Sequence, residues 1–210
     1  MPMPDLLKVS LRQAYNKMAQ NRDALEVEDW KREVRGHFLA LLQQEQKVSL
    51  LELGAGPGGD SLFFAKQGLD VCCTDFSPEM VAICRQKGLR AQVVDFMQLP
   101  FARATFDAVY ALNSLLHLPK KAMPAALRGI SVVMKPGGLF FLGLYGGYES
   151  EGVWQDDFYE PKRFFSFYSD AHLLDVVSAV FQIQQFERII SDESNPDLYF
   201  QALILRKKGK

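Results

Sequence analysis

Apolar residues in the first 46 positions recur every three or four residues: Leu7, Leu11, Ala14, Tyr15 and Met18, then Phe38, Leu41 and Leu42. That spacing stacks them along one side of a helix, so 6–46 reads as two helices broken near Asn21–Glu28. After Lys47 short apolar runs alternate with amphipathic segments. The pattern predicts strands at 48–53, 70–74, 91–94, 106–111 and 138–145, with helices at 59–67, 78–87 and 120–134. The runs VSLLEL (from Val48) and LFFLGL (from Leu139) are almost continuously apolar, as parallel strands covered on both faces must be. The expected fold class is therefore α/β, a central and mostly parallel sheet between helical layers. Beyond Gly146 the alternation stops. An aromatic and acidic stretch, Tyr148 to Tyr168, precedes a helix at 170–180 and strands at 182–190 and 198–206, and the turn-rich SDESNPD makes that last pair a hairpin.

Composition narrows the class. With 210 residues the chain fits one domain, so the helical cap at 1–46 is expected to belong to the same unit as 47–210. There are 24 basic and 25 acidic side chains, a net charge of -1, and thus no general positive field for a phosphate backbone. Nucleic acid would need a local basic patch. Cys72, Cys73 and Cys84 match neither a disulfide framework nor a zinc spacing; they read as small core residues of a cytoplasmic protein. No apolar stretch reaches membrane-spanning length, and the N-terminus lacks a signal peptide's apolar block. Lys207, Lys208 and Lys210 read as a solvated tail.

Chemistry concentrates where the predicted strands end. In LLELGAGPGGDSLFFAKQG, Gly54, Gly56, Gly58 and Gly59 stand where a buried strand turns into a helix, so a ligand can approach backbone N–H groups there. The loop satisfies G-x-G-x-x-G, which keeps a nicotinamide or flavin site in view, and it lacks the G-K-[ST] of a P-loop. Glu52 brings a carboxylate to the loop, repelling a diphosphate and welcoming an amino group. Asp75, 21 residues after Gly54, ends the second strand, where a carboxylate accepts from ribose hydroxyls. Asp95 and Phe96 follow the third strand and offer an acceptor beside an aromatic face for adenine.

Taken together, these segments resemble the class I S-adenosylmethionine-dependent methyltransferases. The resemblance covers about 60% of the chain, Tyr15 to Phe141, and rests on E-L-G-A-G-P-G (Glu52–Gly58), D-x-S-x-x-M (Asp75–Met80), D-F-x-x-L-P-F (Asp95–Phe101), F-D-A-V-Y (Phe106–Tyr110) and K-P-G-G (Lys135–Gly138). It implies a Rossmann-like three-layer α/β/α sandwich. Its seven-stranded sheet would be parallel except for a last strand inserted antiparallel between strands five and six. It also implies S-adenosylmethionine as cofactor, released as S-adenosylhomocysteine. The implied cofactor contacts are Glu52, Gly54, Ala55, Gly56, Gly58 and Asp60 at the first loop, Asp75, Phe76 and Met80 at the second, Asp95 and Phe96 at the third, and Asn113. Tyr15, in AYNKMA, matches a lid tyrosine of the family; Asn16 stands where the family usually has Asp, and a core role for Tyr15 is equally compatible.

Methyl transfer to an activated carbon needs alignment more than covalent chemistry, so a missing catalytic triad says nothing. Acceptor handling is expected from ALNSLLHLP, in which Ser114 and His117 are candidate substrate contacts. His117 is also the candidate base, with a histidine's ordinary pKa near neutrality, although in the family a histidine here also packs or caps the next helix. His37, His117 and His172 fall on separate elements, so no metal site is expected.

Eleven of the 25 aromatic residues lie between Phe140 and Tyr168. The stretch 146–169 is expected to roof the acceptor site, with Tyr145, Tyr148 and Tyr168 as substrate contacts; Phe164 to Tyr168 read equally as packing. Glu149, Glu151, Asp156, Asp157 and Glu160 against Lys162 and Arg163 predict an acidic roof favouring a cationic or neutral aromatic acceptor. The functional expectation is methyl transfer to a small molecule by a monomer or homodimer, without a membrane. Two alternatives stand beside it. One is a tRNA-modifying methyltransferase, suggested by Arg163, Phe165 and Tyr168; the other is a non-catalytic S-adenosylmethionine-binding protein.

Overall fold

A computed structural model of the chain describes residues 4–190 and 195–209. Seven strands build the main sheet: β1 (Ser49–Leu53), β2 (Asp70–Asp75), β3 (Arg90–Val93), β4 (Phe106–Leu112), β5 (Met134–Gly146), β8 (Phe181–Ile189) and β9 (Tyr199–Lys207). Their order is β3-β2-β1-β4-β5-β9-β8. The first five pair in parallel, and β9 runs antiparallel to both β5 and β8, as the sequence resemblance implied.

The core follows the strand alternation. In β4, Ala108 and Tyr110 pack with Phe38, Leu42 and Phe64 of α2 (Asp29–Gln44) and α3 (Gly59–Lys66), while Val109 and Ala111 pack with Leu127 and Ile130 of α5 (Met123–Val133) and Leu173 of α6 (Asp170–Ser178). Helix α4 (Pro78–Gln86) joins the first of these layers through Val81 and Cys84, which meet Cys73 of β2. A sheet apolar on both faces requires helices on both, and this chain supplies them.

Three differences from the sequence reading bear on the site. Of the two expected cap helices, only α1 (Asp5–Asp23) lies on α4 at the open end of the sheet, where Ala19 packs on Met80 and Ile83. Helix α2 is instead part of an outer layer, because Phe38, Leu39 and Leu42 bury its face on the sheet. The aromatic stretch contains a separate hairpin, β6 (Ser150–Val153) paired with β7 (Phe164–Phe167), that the apolar pattern did not reveal. Helix α5 starts later than expected, after a 3-10 turn at Lys120–Ala122 and with Pro124 in its first turn. Of the expected terminal turn, 191–194 lie outside the described residues, as do 1–3 and Lys210.

Candidate functional site

The loops following β1, β2, β3 and β4 open together beneath α1 around a cavity of about 310 Å³. Gly54, Gly56, Asp75, Phe76, Phe96, Asn113, Ser114, His117, Tyr15 and Tyr145 all line it. The glycines serve different ends. Gly54 has φ +70° and passes so close to the β4 loop that a Cβ would lie 2.3 Å from Ser114 Cβ; Gly56, at φ +55°, has free space where a Cβ would stand, so a ligand can lie against its Cα, while its N–H and C=O are taken by Asp75 and Cys84. Gly58 is closed in by Cys84 and Leu89 and serves packing between the loop and α4.

Asp75 sits at the cavity wall with Oδ2 accepting from Gly56 N and Oδ1 from Ser77 N, both at 2.8 Å. Burial raises its pKa against the pull of these amides. Each oxygen keeps a lone pair for a hydroxyl donor. Asp95 accepts from Met97 N and pairs with Lys8 of α1 at 2.5 Å, while Phe96 faces the cavity. Glu52 behaves otherwise than expected. Its side chain turns into the interior to take the Ser61 hydroxyl, and burial, with Asp60 nearby, holds its pKa well above the usual carboxylate range. Asp60 is bound to Arg35 at 2.6 Å, Met80 is core beneath α1, and Ala55 packs beside Cys73; none of the three lines the cavity.

At the end of β4, Asn113 adopts φ +53° and its N–H donates to Gly143 O at 2.8 Å. Asn113 Oδ1 and Ser114 Oγ are buried and have no hydrogen-bond partner, and both residues face the cavity. Orphaned buried acceptors of this kind are costly unless a ligand completes them. Together with the uncrowded Cα of Gly56 and the carboxylate of Asp75, they fit a nucleoside carrying an amino-acid arm, as S-adenosylmethionine does.

His117 is not the near-neutral base that its residue type suggested. Its Nδ1 lies 2.8 Å from Phe164 O, which only accepts, so Nδ1 carries the proton and Nε2 accepts from Tyr15 Oη at 2.7 Å. Burial pushes its pKa down to about 3 despite the Phe164 carbonyl. The neutral ring anchors Tyr15. Tyr15 Oη in turn accepts from Arg163 Nη1 at 3.0 Å, and Arg163 closes its fork on Asp157 through Nε and Nη2 at 2.9 and 2.8 Å. This buried chain, Asp157–Arg163–Tyr15–His117, ties α1 to the β4 loop and to the roof. Sequence reasoning named Tyr15 and His117 as site residues, but counted Asp157 and Arg163 only in the roof's charge balance, with Arg163 also in the tRNA-modifying alternative; nothing in the sequence paired them with each other or with Tyr15.

The roof residues that reach the cavity are Trp154, Phe158, Tyr159, Arg163 and Phe165, together with Tyr145 at the end of β5. Tyr148 instead lies half-exposed against Phe167, and Tyr168 is buried beside His172, away from the cavity. The expected acidic character is reversed. Glu149 is taken up by Lys120, Ser169 and His172, Glu151 accepts from Lys120 N, and Asp157 is spent on Arg163. The charged side chains that do line the cavity are Arg12, Arg22, Lys31 and Arg163, against the single acid Asp75. A second cavity of about 310 Å³ shares the walls Tyr145, Trp154 and Phe165 and adds Phe167, Leu198, Asn195 and Glu28, the last paired with Lys31. Lys162 is folded onto Gln155 O and Arg163 is buried, so the pair forms no exposed basic patch.

Among the described residues, no three His, Cys, Asp or Glu side chains gather as metal ligands, and no helix is long and apolar enough to cross a membrane. The three cysteines are buried and unbridged.

Comparison with known proteins agrees with this geometry. Residues 50–138 match a family model described as a methyltransferase domain. The malonyl-(acyl-carrier protein) O-methyltransferase of Herminiimonas arsenicoxydans is 30% identical over 183 residues, 84% of this chain and 68% of that protein. A sterol 4-C-methyltransferase of Caenorhabditis elegans is 31% identical over 114 residues, 50% of this chain; the chain spans only 34% of that relative's length. The Burkholderia thailandensis 1,6-didemethyltoxoflavin-N1-methyltransferase, solved with 1,6-didemethyltoxoflavin and S-adenosylhomocysteine, shares the fold at a TM-score of 0.75 and 19% identity, over 100% of this chain and 92% of the other. A relative aligned over two thirds of its length, the strand order and a glycine loop open to the cavity make this chain a member of the class I S-adenosylmethionine-dependent methyltransferases.

Proposed function

We propose that this protein transfers the methyl group of S-adenosylmethionine to a small-molecule acceptor held beneath the aromatic roof, by direct in-line displacement. The observation that carries the reading is the pair of orphaned acceptors, Asn113 Oδ1 and Ser114 Oγ, facing a cavity bounded by Gly56 and Asp75. When bound, the cofactor supplies a methyl carbon on a positively charged sulfur. In this reading the amino-acid arm lies against Gly54 and Gly56, where no Cβ stands in its way, Asp75 takes the ribose hydroxyls, and Phe76 and Phe96 flank the adenine. Asp95 accepts the adenine amine in competition with Lys8, and Asn113 completes the site from β4.

The chain's own task is alignment, which contributes on the order of 7–11 kcal/mol when reacting atoms are held at attack distance. Tyr15, fixed by His117 and Arg163, keeps α1 over the reacting centre and excludes water. His117 is then a positioning residue. A neutral ring whose Nε2 is already occupied is a poor proton acceptor.

The test is incubation of the purified protein with methyl-labelled S-adenosylmethionine and a fractionated cell extract. Label in the small-metabolite fraction is expected. Label confined to RNA would favour the tRNA-modifying alternative, and tight cofactor binding with no label in any fraction would make this a non-catalytic cofactor-binding protein.

A further inference from the structure

Two arginines reach the roof side of the cavity, and they are built alike up to one difference. Arg163 gives Nη1 to the hydroxyl of Tyr15 and closes its Nε and Nη2 edge on Asp157. Arg22, from the last turn of α1, gives Nη1 to the hydroxyl of Tyr159 at 3.1 Å, and its Nε is buried with no partner. Among the described residues no carboxylate closes that edge. Tyr15, Tyr159 and Arg163 are its neighbours, so hydroxyls and a second cation surround it. Asp75 across the cleft feels its charge, but the Asp75 oxygens already accept from Gly56 and Ser77.

A guanidinium whose Nε has no partner and whose edge no carboxylate among the described residues closes is an incomplete fork, and its natural complement is a planar oxyanion accepting two parallel N–H bonds. The surroundings reinforce the sign, since Arg12 also lines the cavity and the roof acids Glu149 and Asp157 are spent on Lys120 and Arg163; Lys31, on the same wall, is paired with Glu28. The adjoining second cavity, walled by Tyr145, Trp154, Phe165 and Phe167, adds apolar surface, and the acid on its wall, Glu28, is paired with Lys31.

Resting on the methyltransferase reading above, we propose that the acceptor taken by this site carries a carboxylate or comparable oxyanion, received by Arg22, and an apolar body laid against Trp154 and Phe165. Arg22 therefore selects the acceptor. It holds the anionic end, leaving the atom that takes the methyl group to face the β4 loop.

One other source of the same chemistry exists, the carboxylate of the cofactor's own amino-acid arm, and the test separates the two. Phenylacetate, phenylacetamide and 2-phenylethylamine, matched in size and differing in charge, are titrated by saturation-transfer NMR into the full-length protein, with and without saturating S-adenosylhomocysteine. The expected result is at least tenfold tighter binding of phenylacetate than of phenylacetamide in both states, with 2-phenylethylamine weakest. Arg22→Gln abolishes that preference while S-adenosylhomocysteine affinity, read by calorimetry, stays within threefold; Arg22→Lys keeps most of it. Equal binding of the three probes overturns the proposal, as does a preference that survives Arg22→Gln. A preference lost when S-adenosylhomocysteine is present, or a tenfold loss of S-adenosylhomocysteine affinity in Arg22→Gln, also overturns it and assigns Arg22 to the cofactor. A wild-type protein that binds no S-adenosylhomocysteine sinks the methyltransferase reading instead, and the preference measured without it still decides the anion site.

Discussion

Replacing His117 with glutamine removes a buried imidazole whose pKa falls from the ordinary 6.5 to about 3. In the unfolded chain the ring recovers its ordinary basicity. Between those two values the unfolded state binds a proton that the folded state refuses, so stability falls as pH drops through 6.5 and goes on falling towards 3. At about pH 7.5 the effect is negligible, and at about pH 5 it reaches roughly 2 kcal/mol, from 1.36 kcal/mol per pKa unit. Glu52, Asp60 and Asp75, whose pKa values are raised by burial, oppose this trend as they gain protons, but they do so in wild type and variant alike. Urea denaturation of both proteins at the two pH values isolates the histidine. Whatever His117→Gln loses in hydrogen bonds to Tyr15 and Phe164 is common to both pH values and cancels. Wild type should lose about 2 kcal/mol more than the variant on acidification. Parallel losses, within about 0.5 kcal/mol, would mean that the ring is protonated in the folded state and that its assignment as a neutral anchor for Tyr15 is wrong.

Other perturbations test other joints. Gly54→Val drives a Cβ to 2.3 Å from Ser114 Cβ at a φ of +70°, so calorimetry should give at least tenfold weaker S-adenosylhomocysteine binding together with a lower Tm. Asp157→Ala strands the Arg163 guanidinium inside the protein, and chemical denaturation should register a loss of about 3–5 kcal/mol; a loss under about 1 kcal/mol would show that Arg163 finds water instead. Trp154→Ala opens the wall between the two cavities, and steady-state kinetics on an acceptor found in the extract assay should show impaired turnover with cofactor affinity within about threefold.

What could be read from the sequence follows from the range over which each signal acts. The strand-helix alternation and the loop Gly54–Gly58 are local, since apolar periodicity and residues without a Cβ carry their meaning within a few positions. Asp75, Phe76 and Phe96 were legible for the same reason, standing where predicted strands stop. The hairpin of β6 and β7 was hidden because each strand has four residues, SEGV has no alternation, and FFSF reads as packing. Side-chain direction was hidden altogether. Glu52 stands two residues before Gly54 yet points at Ser61, and Glu149 belongs to the roof yet faces Lys120. A sum of charges over 146–169 therefore gave the wrong sign for the cavity, which takes Arg12, Arg22 and Lys31, beside the roof's own Arg163, from α1 and α2, more than 100 residues earlier in the chain. Their place on the polar sides of those helices looks like ordinary solvation, and Arg12 does stay exposed; only the tertiary fold shows that all three border one cavity.

Whether Gly54, Gly56 and Asp75 hold the cofactor is decided by calorimetric titration of S-adenosylhomocysteine into wild type and Asp75→Ala. Saturable one-site binding to wild type and at least tenfold weaker binding to the variant are expected, with the variant's thermal unfolding still cooperative. No binding to wild type, or equal affinity in a folded Asp75→Ala protein, would contradict that role.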